Sequence, residues 1–392
     1  MRPVMLVHLV VCILLICAAD GFANDLLLNL GPEEFVEANG VDILVPGYSV
    51  PSFVDWNNDA LLDLVIGQGG SAAPPGKVRV YLNVGTESDP QFSSSSYSSF
   101  YAQSNGADLT CTAVGCMGCF PRVVYWNADE PNNLKDLLIG YADGTVKIFL
   151  NIGTDVSPTF DGGSFLQVGQ TGAKKNIDVG DRATPTVVDW NSDGKKDLIV
   201  GGLDGKLHIF LNGGTDTAPD FFTETFAQAS GSALVVPSAR SSPVILDLDG
   251  DGKKDILAGN TDGWLLFYNN VATDAAPAFS GYVRVESDGV PIDLSGTPRS
   301  RPFVCDWTGD GYLDVLIGAG DGKVHLYQSL PIGDINKDYA VDFVDFALFA
   351  QYWLQTGCGK CGGADLAGGD GSVDLDDLQR FTENWLAGVP AP

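Results

Sequence analysis

Across residues 247–255, carboxylates fall at the first, third, fifth and ninth positions, as Asp247, Asp249, Asp251 and Asp255. Alternate side chains of a tight loop can turn inward together, and a glycine at the sixth position, Gly252, permits the bend. Such a loop offers oxygen donors only, which suits a hard cation such as Ca²⁺ taking roughly six to eight oxygens. Without a cation these carboxylates repel one another at close range; the alternative reading is an acidic hairpin that holds no metal. Asp189, Asn191, Asp193 and Asp197 form a second complete set. Asp55, Asn57, Asp59 and Asp63 supply full donors, with Ala60 where the glycine is expected. In Asp306, Thr308, Asp310 and Asp314 a weaker hydroxyl stands third. The remaining copy starts at Tyr125 and carries three extra residues before Asp136, so it is expected to bind weakly or not at all.

These loops recur inside a larger repeat. Prolines at 51, 121, 185, 243 and 302 each lie four residues before a first loop position, and a glycine follows each loop at 67, 140, 201, 259 and 318. An Asp-Gly pair comes next in four copies, at 143–144, 204–205, 262–263 and 321–322, and suits a type I′ hairpin turn. Apolar β-formers flank each loop, a third run alternates after the turn, and a Pro-x-Phe element leads to a less regular outer run. Four strands per unit at about 60-residue spacing read as propeller blades. The fifth unit ends near Leu330 without an outer strand. Residues 35–45 resemble 226–236 and are expected to complete it, leaving no free sheet edge. Residues 26–31 look like a leftover third strand and raise the prospect of a degenerate extra blade.

From Gly333 the spacing turns helical. Asp334, Asn336, Asp338, Asp342 and Asp345 occupy positions 1, 3, 5, 9 and 12 of an EF-hand-type loop, with Tyr339 in the glycine position. Phe346, Phe349 and Trp353 follow on one helical face, and Asp377, Leu378, Phe381 and Trp385 repeat the pattern 32 residues later. The second loop, 365–377, offers Asp370, Asp374 and Asp377 but has one extra residue and no third-position donor.

The Asp-loop repeat resembles the FG-GAP/VCBS repeats of integrin-α-like propellers, over about residues 25–330. The C-terminal duplication resembles a dockerin. The resemblances imply an all-β propeller of five four-stranded blades over 24–330, then a small α-helical, calcium-binding dockerin-like domain over 331–392. They also imply a cohesin-like or cell-envelope partner for residues 333–392. Positions 10 and 11, often Ser-Thr in dockerins, are here Phe343-Val344 and Leu375-Asp376, a departure that bears on the partner.

Arg2, an apolar run over 4–19 and the small residues near Ala23 read as a secretory signal over 1–23. The expected location is therefore extracellular, at the cell surface or in the periplasm, with no membrane insertion after cleavage. A net charge of −28 disfavours nucleic acid and anionic lipid as partners. Cys358 and Cys361 are expected to form a local disulfide, one pair to form among Cys111, Cys116 and Cys119, and Cys305 to be a buried thiol. His208 and His325 read as solvent-face residues, and no catalytic or cofactor-binding residue is assigned beyond the calcium ligands. Trp56, Trp126, Trp190 and Trp307 follow the first loop positions and read as inter-blade packing in preference to sugar platforms, because Leu248 stands in the fourth copy. The function expected is a non-catalytic binding or scaffold protein recognising a glycan or a protein. The alternative is a polysaccharide-degrading hydrolase or lyase, or its carbohydrate-binding accessory.

Overall fold

The computed structural model describes residues 28–69, 76–111, 118–127, 134–367 and 369–389. The expected signal, most of the first repeat's turn, Cys116 and most of the second loop's extra residues fall outside them. Five antiparallel sheets form five blades. The third is representative: Thr184–Val188, Asp197–Gly201, Leu207–Phe210 and Thr225–Phe226 pair in that order. Its second strand is buried along its whole length, which is why the sequence there runs Leu-Ile-Val without polar alternation. First strands begin at Tyr48, Phe120, Thr184, Ser242 and Arg301, and each touches the first strand of the next blade, so they ring the axis. In all five blades the strand's last residue lies opposite the ninth-position aspartate, as in Val188 opposite Asp197 and Cys305 opposite Asp314.

The ring closes as expected, but with a shorter piece. Glu34–Phe35 pairs with Val324–Tyr327 as the fifth blade's outer strand. Residues 37–42 instead fold back as a separate hairpin. Such a hairpin follows the outer strand in every blade. The first blade exceeds four strands, since Thr110–Cys111 also pairs with Gly76–Tyr81.

Two expectations about local structure are corrected. In the Asp-Gly turns only the glycine has positive φ, from +79° to +89°, and the Gly205 N–H donates to the Gly202 carbonyl. That is a type I turn closed by a left-handed glycine, not type I′; the aspartate keeps ordinary φ, and Asp143, Asp204 and Asp321 accept from the backbone two residues on. Nor do residues 28–31, the described part of that segment, begin an extra blade. Leu30 bridges Ser329 and Ser287, as Phe279 bridges Asn270 and Ala229. It thus fills the Pro-x-Phe position of the fifth blade.

This equivalence explains the tryptophans. Each packs on the Pro-x-Phe ring of the following blade: Trp56 on Phe160 at 5.7 Å, Trp126 on Phe221 and Trp190 on Phe279 at 6.2 Å, Trp307 on Phe92 at 5.9 Å. The fourth blade has Leu248, and its partner is Leu30, in one apolar cluster. The seam between the chain's start and its fourth repeat swaps an aromatic pair for an aliphatic one. All four tryptophans are buried, so they are packing residues. Among the described residues no helix is long and apolar enough to cross a membrane.

Beyond the ring, helix α1 (Phe343–Tyr352) and helix α2 (Leu375–Glu383) pack through Phe349 and Phe381, ring centroids 5.3 Å apart. Each is capped by an aspartate, Asp342 or Asp374, whose side chain accepts from the second helical N–H, and each has a capping box completed by Asp345 or Asp377. The Cys358–Cys361 disulfide forms as expected, and Cys111 pairs with Cys119 while Cys305 stays free and partly buried. Lys337 pairs with Asp288, Lys360 with Glu286 at 3.0 Å, and Tyr339 Oη reaches Glu34 at 3.4 Å, seating this unit against the ring.

Candidate metal centres

The Asp loops join first to second strands, so they gather on one face around the axis. In the third copy Asp189 accepts from the N–H groups of Asp193 and Gly194, at 3.0 and 2.8 Å, and Asp193 accepts from Lys195. The same bonds recur in the loops starting at Asp55 and Asp306. They recur again in the loop starting at Asp334. The fourth loop keeps the Gly252 bond to Asp247 but takes its other bond from Gly250. The sixth position is left-handed throughout: Gly194, Gly252 and Gly311 at +81° to +89°, Ala60 at +73° and Tyr339 at +66°. Ala60 and Tyr339 therefore adopt the glycine's conformation at a steric cost.

The ninth-position aspartates do something the sequence alone did not reveal. Each is at most 1 % exposed and clamps the blade. One oxygen accepts from the backbone at the loop's second residue, as Asp197 does from Trp190 at 2.9 Å. The other accepts from the end of the third strand, as from Asn212 at 2.7 Å. Asp63, Asp136, Asp255 and Asp314 make the equivalent pair. Asp136 does so although its loop lacks the first ligand, so the clamp is independent of the cation set. Burial, reinforced by neighbouring carboxylates and only partly offset by these bonds, pushes Asp63 and Asp255 up to about 6 and Asp314 to about 7. Each clamping oxygen retains a second lone pair for a cation.

Among the described residues, two acid groups converge closely enough to share an ion. Asp247, Asp249 and Asp255 place carboxylate oxygens within 4.8 Å of one another, as do Asp334, Asp338 and Asp345. Asp251 turns to Lys253, 2.5 Å away. The sets at Asp55, Asn57, Asp59 and Asp63, and at Asp189, Asn191, Asp193 and Asp197, keep the shared loop bonds, as does that of Asp306, Asp310 and Asp314 around Thr308. In the C-terminal unit Asp342 and Asp374 act as helix caps. Asp370 accepts from Ser372, and Asp377 from Leu366 and Ala367 as Asp345 does from Ile335 and Asn336. Asp365, the start of that second loop, has a buried Oδ1 that accepts no hydrogen bond. It was not among the expected ligands. An oxygen-only donor set with an orphaned buried carboxylate oxygen fits a hard cation.

Lysines of one blade lean on the loop of the blade before it. Lys135 Nζ reaches the Asp55 carbonyl at 2.5 Å, Lys196 Nζ the Tyr125 carbonyl at 2.6 Å, and Lys254 Nζ the Ser192 hydroxyl at 3.1 Å. The histidines are not solvent-facing. His208 sits between Glu224 at 2.5 Å and Asp204 at 3.3 Å, and His325 between Glu33 at 2.7 Å and Asp321 at 3.4 Å. Phe226 and Phe35 of the outer strands cover them at 5.1 and 5.0 Å, so they are buried structural pairs.

A family model described as an FG-GAP-like repeat matches residues 189–258 and again 247–317, each spanning one Asp loop to the second strand of the next blade. The chain therefore carries FG-GAP-like repeats. No curated protein matches it. Solved structures similar to it include the Tc holotoxin pore of Photorhabdus luminescens, at 14 % identity and TM-score 0.34 over 71 % of this chain. This chain spans only 11 % of that toxin's length. A GH43_1 enzyme from Xanthomonas citri shows 10 % identity and TM-score 0.43, covering 76 % of this chain and 90 % of that one. The WD40 β-propeller domain of Doa1 shows 11 % identity and TM-score 0.32, covering 77 % and 97 %.

Proposed function

We propose that this chain is an exported, calcium-stabilised propeller serving as a binding scaffold for a glycan or a protein, with residues 333–392 as its dockerin-like tether. Calcium would be held by the loops at Asp55, Asp189, Asp247 and Asp306 in the ring and at Asp334 in the C-terminal unit, with Asp365 and Asp370 serving a weaker second loop. When bound, it neutralises carboxylates that burial and mutual repulsion leave strained. The protein's own residues do the rest: the ninth-position clamps hold the strands and the loops carry the ligands between them.

The observation that carries the tether reading is an exposed apolar pair at duplicated positions, Phe343 and Leu375, with Val344 beside the first. Phe343 and Val344 on α1 and Leu375 on α2 are 70 %, 53 % and 69 % exposed, at the first turns directly after the acidic loops. Such exposure beside loops of this kind supports a protein partner, cohesin-like or resident in the cell envelope. The test is a pull-down from the envelope of the secreting cell, using the full chain and a Phe343→Asp/Leu375→Asp variant, with calcium or EGTA. Capture of a discrete protein that needs calcium and both apolar residues is expected. Equal capture by the variant would remove the tether reading, and polysaccharide turnover abolished by one carboxylate change outside the Asp loops would remove the scaffold reading.

A further inference from the structure

The channel mouth opposite the Asp loops carries an unexpected charge. The residue three positions before each repeat proline is Tyr48, Gly118, Arg182, Arg240 and Arg299 in turn. The three arginines all hold left-handed backbone, with φ of +61°, +58° and +85°, where Gly118 has +117°. Glycine would take this turn without steric cost; three successive blades place arginine there instead. With Arg301 from the fifth blade's first strand and Phe120 from the second's, they line one recess.

These guanidiniums are poorly compensated. None of the four makes an ion pair among the described residues, in a chain of net charge −28. Arg301, 4 % exposed, lies over the Tyr48 ring at 4.2 Å and donates to the Arg299 carbonyl at 3.0 Å. Arg182 donates to Tyr48 Oη at 3.2 Å. Nη1 of Arg240 is buried and has no acceptor. Burial and then the charges of Arg182 and Arg299 lower Arg240 to about 10, with exposed Asp181 the carboxylate near enough to oppose them. Deeper in, Arg122 donates to the carbonyls of Pro51, Pro121 and Pro302, and so its fork is already taken up by the channel wall.

We propose that this mouth binds a compact oxyanion, the carboxylate or tetrahedral anionic group of a small ligand, through Arg182, Arg240 and Arg299. Planar forks converging on a recess suit such a group, which would also satisfy the orphaned Nη1 of Arg240. The rest of the molecule selects for compactness: a field this negative repels an extended polyanion, while one anionic group fits within the positive rim. The site extends the scaffold reading without depending on it. An anion could bind here if the tether had no partner, and the tether could work if the mouth stayed empty.

Calorimetry on the full chain in millimolar calcium tests this with sodium glucuronate, sodium sulfate and uncharged glucose. Glucuronate or sulfate should bind and glucose should not; glucuronate alone points to an acidic sugar, sulfate alone to a tetrahedral anion. Arg240→Gln and Arg182→Gln should each weaken binding about tenfold or more, as expected for loss of a charge-assisted bond. Without added anion, both variants should melt at or above the parent temperature, because a repulsion is relieved. No binding of either anion in the millimolar range, binding unchanged in both variants, or a lower melting temperature for both without anion would overturn the proposal.

Discussion

At the scale of single residues, one carboxylate in each repeat carries two demands that spacing cannot separate. The closing aspartate reads as the last cation ligand in four of the five loops, and burial with paired backbone bonds makes it a strand clamp in all five. Asp136 isolates the clamp, because its loop begins with Tyr125. Replacing it with asparagine sets an amide donor against a backbone N–H, which should cost about 1–3 kcal/mol whether calcium is present or not. Asp197→Asn should cost about the same in EGTA and more in calcium. Urea unfolding under both conditions would settle the matter; calcium dependence for Asp136→Asn, or none for Asp197→Asn, would contradict the dual role. The sequence made the acids legible because they are close in the chain. It did not expose the clamp, whose second partner, Asn151 for Asp136 and Asn212 for Asp197, arrives from a different strand.

At the scale of elements, the repeated glycine at 67, 140, 201, 259 and 318 marks where the next blade's inner strand passes. A Cβ at Gly201 would collide with the Ser241 carbonyl, and the other four would meet Cys119, Ala183, Ser300 and Ser49 in the same way. Gly201→Ala should therefore destabilise by about 1–3 kcal/mol or more through overpacking of backbone that cannot yield. Gly281→Ala, with open space around it and no positive φ, should stay within about 0.5 kcal/mol of the parent. Equal melting of the two variants would mean that the blades can slide apart at little cost. Strand order, blade number and tryptophan packing were readable because each repeats in register along the chain. The type I turns were misread because an Asp-Gly pair serves two turn types, and the φ of the aspartate decides between them. The histidines were misread because the alternation that points them outward takes no account of the short outer strand laid over them. Arg182, Arg240 and Arg299 stayed hidden because Tyr48 and Gly118 hold the same position in the first two repeats, and their convergence exists only in the closed ring.

At the scale of the whole molecule, the two faces carry different chemistry. One carries the Asp loops, the other the arginine mouth, and a ring closed by Glu34–Phe35 holds them on a common axis. The acid-rich face is where metal removal should be felt. If each competent loop binds calcium with a dissociation constant of roughly 10⁻⁴ to 10⁻³ M, as extracellular modules do, free calcium near 10 mM stabilises by about 1.4–2.7 kcal/mol per site. In a chain of this size, where unfolding entropy scales at about 2.1 cal/mol/K per residue, that corresponds to roughly 2–4 °C for each site. Because the loops lie in different blades of one closed ring, their contributions act on one transition, and chelation should lower its midpoint by at least about 5 °C. Differential scanning calorimetry in EGTA and in a calcium series is the measurement. Magnesium at equal concentration should give a smaller shift, because it prefers smaller, near-octahedral sites and gives up its water reluctantly. A midpoint indifferent to calcium would leave the acid loops as hairpins held by their own backbone bonds, with the ring's stability resting on its clamps and aromatic seams alone.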